Sequence, residues 1–334
     1  MRKLASIRQV KAIEPIAKAD RIEVAVVDGW KCVVKKGEFA IGQAVIYCEI
    51  DSFLPVRPEF EFLRASSFRK MDDREGFRLK TVKLRGQVSQ GLLLPVSLLP
   101  RNVWLGEDVS EELGITKYEA PIPACLNGKV LGPFPGFIPK TDEERLQNLA
   151  EDFNAWLGRR FSVTEKLDGT SMTVYFDHRQ HFGVCGRNWE LEESEANHYW
   201  RAVRMLNLKE RLSTLGRPLA LQGELVGPGI QGNQYQLPHA QWYVFNIFDI
   251  AAGRYLPKSE VRELCMQLQL KSVPDLGEHA LTGTLESLLL QADGDSQLQP
   301  GVPREGLVWD SCENTQDRVS FKVISNQFLS NERD

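Results

Sequence analysis

Over roughly the first 115 residues apolar positions come in short runs cut by turn residues: "IEVAVVDGWKCVVKKG", "AVIYCEIDSFLP", "FRLKTVKLRG" and "QGLLLPVSLLP". Residues that favour a pleated, half-buried surface, bounded by Gly, Pro and Asp, predict strands. "VVDGWK" sets Asp-Gly between two apolar runs and predicts a hairpin. Several short strands in so short a stretch predict a small β-barrel, and among such barrels the OB-fold is one that binds nucleic acid. Between Glu119 and Lys140 lie five prolines and three glycines, which let neither helix nor strand run far. A linker is expected over 119–140, between a domain at 1–118 and another at 141–334.

The second part mixes periods. Thr141 and Glu144 read as a capping box ahead of Leu146, Leu149, Phe153 and Trp156 at helical spacing, which predicts an amphipathic helix. Strands are predicted at "FSVTEK", "SMTVYF", "FGVCGR", "LALQGEL", "WYVFNIFDI", "GLVWD" and "RVSFKVI", with helices at about 193–215 and 259–270. Strands dominate around short helices, so the fold class expected is α+β: an OB-like barrel followed by a domain of antiparallel sheets with flanking helices.

Composition adds limits. The 334 residues are 42% hydrophobic and 26% charged, as in ordinary globular chains. No apolar run approaches the ~18 residues of a membrane span, and "MRKLASIRQV" lacks the apolar core of a signal peptide, so a cytoplasmic protein without membrane contact is expected, as a monomer. Six scattered cysteines form no CxxC pair and no zinc spacing, and are read as reduced and mostly buried. Neither GxxxxGK[ST] nor a GxGxxG after a strand is present, which argues against P-loop and dinucleotide folds. Net charge is -4, yet the first 115 residues hold 19 basic against 16 acidic residues and the rest 22 against 29. From Gly76 to Gly106 there is no acid at all, and Lys80, Lys83 and Arg85 there are candidates for a phosphate backbone.

Chemistry-bearing residues lie beside the strands of the second part. "TEKLDGTSM" places Lys166 two residues before an Asp-Gly turn, and downstream come Arg187 in "CGRN", Glu224 in "GELVG", Phe245 in "FNIFDI", Glu305 in "REGLVW" and Lys322 in "SFKVIS". This ordered set, over residues 160–325, resembles the motifs of the covalent nucleotidyltransferases, the superfamily of ATP-dependent ligases and mRNA-capping enzymes, whose catalytic domain is ATP-grasp-like. The barrel in front, with only twelve residues after Lys322, is similar to the bacterial ATP-dependent RNA ligases that seal nicked duplexes bearing an RNA 3′-OH and a 5′-phosphate. A GTP-dependent capping guanylyltransferase and a non-catalytic OB-type nucleic-acid-binding protein are the rival readings.

The resemblance implies ATP and Mg²⁺ or Mn²⁺, a covalent lysyl-AMP on Lys166, and Lys322 at the α-phosphate. It implies that Glu165, Arg187, Glu224, Phe245 and Glu305 complete the ATP site, Phe245 by stacking on adenine and Glu305 beside the metal, and that Asp168 and Gly169 position the turn. A lysine attacks only as the free amine, and its ordinary pKa is about 10.4. Burial and a nearby cation, Lys322 or the metal, are expected to lower it. Two departures stand out: Ile324 occupies the place where many relatives carry a second lysine, and Ser171 the place of an Asn in some RNA ligases.

Overall fold

The computed structural model describes residues 3–119, 122, 124–179, 181–312 and 318–331. Pro121 and Pro123 of the expected linker lie outside them. By contacts the chain divides into two compact units, Met1–Pro121 with Glu144–Ala155 and Leu329–Asp334, and Ile122–Glu143 with Trp156–Phe328.

The first unit is the expected barrel of antiparallel strands. Its five-stranded sheet runs in the order Leu92–Pro95, Ala44–Cys48, Ala5–Pro15, Ile22–Val27, Trp30–Lys35. The long strand Ala5–Pro15 serves two neighbours because a bulge between Val10 and Ala12 bends it, pairing its first half with Ala44–Cys48 and its second with Ile22–Val27. Asp28 takes a left-handed φ of 49° in the predicted Asp-Gly hairpin. Alternate residues fill the barrel, among them Ile7, Ile46, Leu54, Phe60 and Phe77. Lys83 and Arg85 are exposed on the hairpin Thr81–Leu84/Gln87–Gln90, whose turn is left-handed at Arg85 and Gly86, and Lys80 is half-buried just before it.

The amphipathic helix expected after Thr141 does not form. Glu144 and Arg145 are extended, and Leu146–Leu149 and Phe153–Trp156 make separate short 3-10 turns. The Glu144 carboxylate accepts from the Arg145 N–H and the Asn148 amide, so no capping box closes on Thr141. The apolar residues also serve different cores: Leu146 and Phe153 belong to the first unit, whereas Trp156 stacks on Phe321 of the second, 5.9 Å between ring centroids. The helix expected at 193–215 is two helices, His198–Met205 and Leu208–Ser213, broken where Asn207 turns left-handed. The helix near 259–270 spans Lys258–Gln267.

Two sheets make the second unit. The larger runs Val130–Pro133, Trp189–Leu191, Phe182–Cys185, Thr170–Phe176, Leu219–Val226, Gln241–Asp249, Arg254–Tyr255, with Lys271–Ser272 added in parallel to Gln241–Asp249. One face, carrying Met172, Val174, Leu221, Val244 and Ile247, packs on the helices His198–Met205 and Lys258–Gln267. The other sheet sets Asp275–Ala280, Arg160–Lys166, Gly306–Ser311 and Ser320–Ile324 side by side. On it Phe161, Val163, Leu307, Trp309, Phe321 and Val323 share one face by register, which leaves the opposite face to Thr164, Lys166, Asp310, Ser320 and Lys322. All six cysteines are free, four of them buried. Among the described residues no helix is long and apolar enough to cross a membrane.

Candidate active site

Lys166 ends the strand Arg160–Lys166, and the three residues Leu167, Asp168 and Gly169 lead directly into Thr170–Phe176 of the other sheet. The turn is tight because Gly169 approaches its neighbour strand closely: a Cβ there would lie 2.4 Å from the Leu225 carbonyl oxygen and 2.6 Å from Val226. Its φ is not left-handed, so close approach, and not the positive φ expected from an Asp-Gly pair, is what demands glycine. The Gly169 backbone N–H lies near enough to the Glu224 carboxylate to favour its ionised form.

The Lys166 side chain, 28% exposed, donates from Nζ to Glu305 Oε2 at 2.7 Å. Burial works to lower its pKa, but Glu305, Glu224 and Asp168 outweigh it and hold the ammonium above the ordinary lysine value. This reverses the expected shift, and the carboxylates around the amine give the reason. Directly across Gly306 from Lys166 stands Ile324, so no second strand cation faces the amine from that position. Two carboxylates thus share one ammonium. Glu224, desolvated and facing Glu305, is pushed up to about 8 despite Lys166.

A stability consequence follows from Glu224. It binds its proton more tightly folded, near 8, than unfolded, near 4.5. The resulting stabilisation is complete below about pH 4.5 and is lost as pH rises through 8. Glu224→Gln, neutral at every pH, should match the parent at pH 4 and exceed it at pH 9, by on the order of 5 kcal/mol at about 1.4 kcal/mol per pKa unit. Melting curves at the two pH values test this; an advantage equal at both would refute the assigned titration.

Lys322 lies on the same face of the sheet as Lys166, two strands across and one side-chain step along. Its Nζ is 3.7 Å from Asp142, which also pairs with Arg187 at 3.3 Å. One carboxylate thus draws together cations from both sheets. It stands at the end of a segment, 133–143, laid on the larger sheet: Ile138 is buried with Tyr175 and Phe248, and the Pro139 carbonyl accepts from Gln222.

A family model described as RNA ligase matches residues 159–324, and one described as an OB-fold domain matches residues 4–96. Solved structures of the Naegleria gruberi RNA ligase superpose along the whole chain. The form with PPi is 46% identical at TM-score 0.94, covering 99% of each chain. A mutant form with ATP and Mn is 45% identical at TM-score 0.93, again over 99% of each chain. The chain belongs to the RNA ligase family. No curated protein sequence matches it.

In this RNA-ligase-family chain the remaining expected site residues are placed unequally. Phe245 is the extra residue of a bulge, since Gln222 pairs Asn246 and Gly223 pairs Val244. It is half-buried against Leu167, Val226 and Tyr243. Strand alternation turns Glu165 to the face opposite Lys166, where its buried carboxylate accepts from Ser296 Oγ at 2.5 Å and the Gln297 N–H at 2.8 Å. Among the described residues no group of three or more His, Cys, Asp and Glu gathers as a metal cage. Two carboxylates at the amine suffice for a cation that takes its other ligands from substrate phosphates.

Three participants carried no sequence signal. Asp142 sits in a stretch read as the start of a helix. Lys258, buried, donates to the Phe245 carbonyl at 2.7 Å and pairs with Asp310 at 3.1 Å; burial pulls its ammonium below the ordinary lysine value. Tyr235 looks in sequence like one more core aromatic. Long-range contacts place all three, and local pattern cannot report those.

Proposed function

We propose that this chain is an ATP-dependent RNA ligase acting through a lysyl-AMP on Lys166, and that its substrate is a break in a duplex whose 3′-OH strand is RNA, met in the cytoplasm by a monomer. The observation that carries the reading is Lys166 held between Glu305 and Glu224 at a strand end, with Lys322 on the same sheet face. The ATP- and AMP-bound Naegleria gruberi structures, at 45–46% identity, support it.

Lys166, once it has shed its ammonium proton to solvent, attacks the α-phosphorus of ATP. An N–P bond forms, the bond to pyrophosphate breaks, and the second amine proton is lost. Lys322 neutralises charge on the non-bridging oxygens. An oxygen of the 5′-phosphate then takes the AMP, the N–P bond breaks and the lysine regains its protons. Last, the 3′-OH attacks the activated 5′-phosphorus, AMP leaves, and the hydroxyl proton passes to solvent. A divalent cation, when bound, would be held by Glu305 together with substrate phosphates and would supply positive charge there. Arg187 and Glu224 hold ribose or phosphate groups, and Phe245 offers the adenine a ring.

Incubation with α-labelled ATP and Mg²⁺, followed by nicks whose 3′-OH strand is RNA or DNA, tests the proposal. Label on Lys166 and sealing only of the RNA-ended nick are expected; equal sealing of both defeats the strand rule. The basic hairpin adds a further expectation. Reversing Lys80, Lys83 and Arg85 together to Glu should cut nick sealing at least about tenfold and flatten its salt dependence, by about 0.9 in log–log slope for each phosphate no longer neutralised. Self-adenylylation should stay within about twofold. Unchanged sealing would remove the hairpin from the substrate's path.

A further inference from the structure

Between the Glu224 strand and the strand Gln241–Asp249 the backbone is left-handed at Gln231, Gly232, Asn233 and Gln236, with φ of 44°, 65°, 50° and 52°. Only a few per cent of non-glycine residues lie in that region, and such strain persists only where surroundings over-determine it. Here they do. The Asn233 amide accepts the Leu237 N–H at 3.1 Å and donates to the Leu237 carbonyl at 3.0 Å. Backbone turns join Ile230 to Gly227, Asn233 to Ile230 and Gln236 to Asn233.

The loop so braced presents two side chains to Asp168. Tyr235, 2% exposed, sinks its ring among Leu167, Val226, Tyr243 and Val273, and its hydroxyl accepts the Asp168 backbone N–H at 2.8 Å. Gln234 Nε2 donates to Asp168 Oδ2 at 3.1 Å. The backbone amide and the carboxylate of Asp168, in the turn that follows Lys166, are thus both held from outside the turn.

We propose that Tyr235, assisted by Gln234, is a positioning residue for self-adenylylation: it pins the turn behind Lys166 so that the amine meets the α-phosphate in line. This rests on the reading of Lys166 as nucleophile. Tyr235 touches no reacting atom and acts through Asp168. Removing its hydroxyl strands a backbone donor and frees the turn, and an ångström of misplacement at a reacting centre lowers a rate about a hundredfold. Burial, with Asp168 and Glu305 nearby, keeps the phenol protonated, so the pin does not switch with pH.

The test is single-turnover self-adenylylation by the full chain with α-labelled ATP, titrated in ATP and repeated from pH 6 to 9, for Tyr235→Phe, Gln234→Ala and the double variant. Tyr235→Phe should lower the rate at saturating ATP by about tenfold to a hundredfold, with the half-saturating ATP concentration within about threefold and the shape of the pH profile kept. Gln234→Ala should lose less, and the double variant less than the product of the two, because both act through one turn. A Tyr235→Phe rate within twofold of the parent, or a loss confined to half-saturation, overturns the proposal. Should Tyr235→Phe fail to fold, a parental rate in Gln234→Ala overturns it instead. Lys166→Met in the same assay separates the two claims: labelling that survives it defeats the lysine, whereas silent Lys166→Met beside a parental Tyr235→Phe defeats the pin alone.

Discussion

Lys166→Met is expected to reduce transfer of label from α-labelled ATP to the protein by at least about a thousandfold, since no other group can take over the N–P bond. Methionine keeps the unbranched stem and most of the volume, so the turn and both strands it joins should stand. What disappears is the charge between Glu305 and Glu224, and Glu224, already near 8, should hold its proton still more tightly. Lys166→Arg should be as silent, because a guanidinium stays protonated and is no nucleophile at working pH. The informative contrast comes from a nick whose 5′ end already carries AMP. Only the first two steps need the amine, so Lys166→Met should still seal that end while failing with ATP and a plain 5′-phosphate. Failure on both substrates with a parental melting temperature would mean that the lysine serves the final step as well.

Much of this site was legible in sequence because strands carry alternation and turns carry their own residues. Lys166, Glu224, Glu305 and Lys322 each sit where an apolar run meets a polar residue that should not be there; register sets Lys166 and Lys322 on one sheet face, and the Lys166 side chain reaches Glu305. Charge balance was not legible. Burial and a nearby cation predict a depressed amine, yet Glu305, Glu224 and Asp168 raise it. The 141–156 helix failed for a related reason: its apolar spacing is real, but Leu146 and Trp156 answer to different cores, and a helix face can address only one. Asn207 likewise interrupts a periodic stretch without leaving a Pro or Gly as warning.

Lys322→Ala should slow self-adenylylation by about a hundredfold to a thousandfold at saturating ATP, the range seen when a single preorganised charge partner of a transition state is lost. The strand Ser320–Ile324 offers one cation, because Ile324 takes the second lysine's place, and the apolar face behind it is filled by Phe321 and Val323. Lys322 therefore carries a burden that two side chains would share. Its partner Asp142 is 52% exposed and loosely placed at 3.7 Å, so that pair contributes little to stability and the variant should melt within a few degrees of the parent. Lys322→Arg should recover only part of the rate, since a planar fork cannot reproduce a compact ammonium at one phosphate oxygen. Asp142→Asn bears on the same geometry from the other side: with the carboxylate gone, Lys322 and Arg187 are freer to meet phosphate, and half-saturation by ATP should fall severalfold. A Lys322→Ala rate within threefold of the parent would show that the α-phosphate is neutralised elsewhere, and the face shared with Lys166 would lose its assigned chemistry.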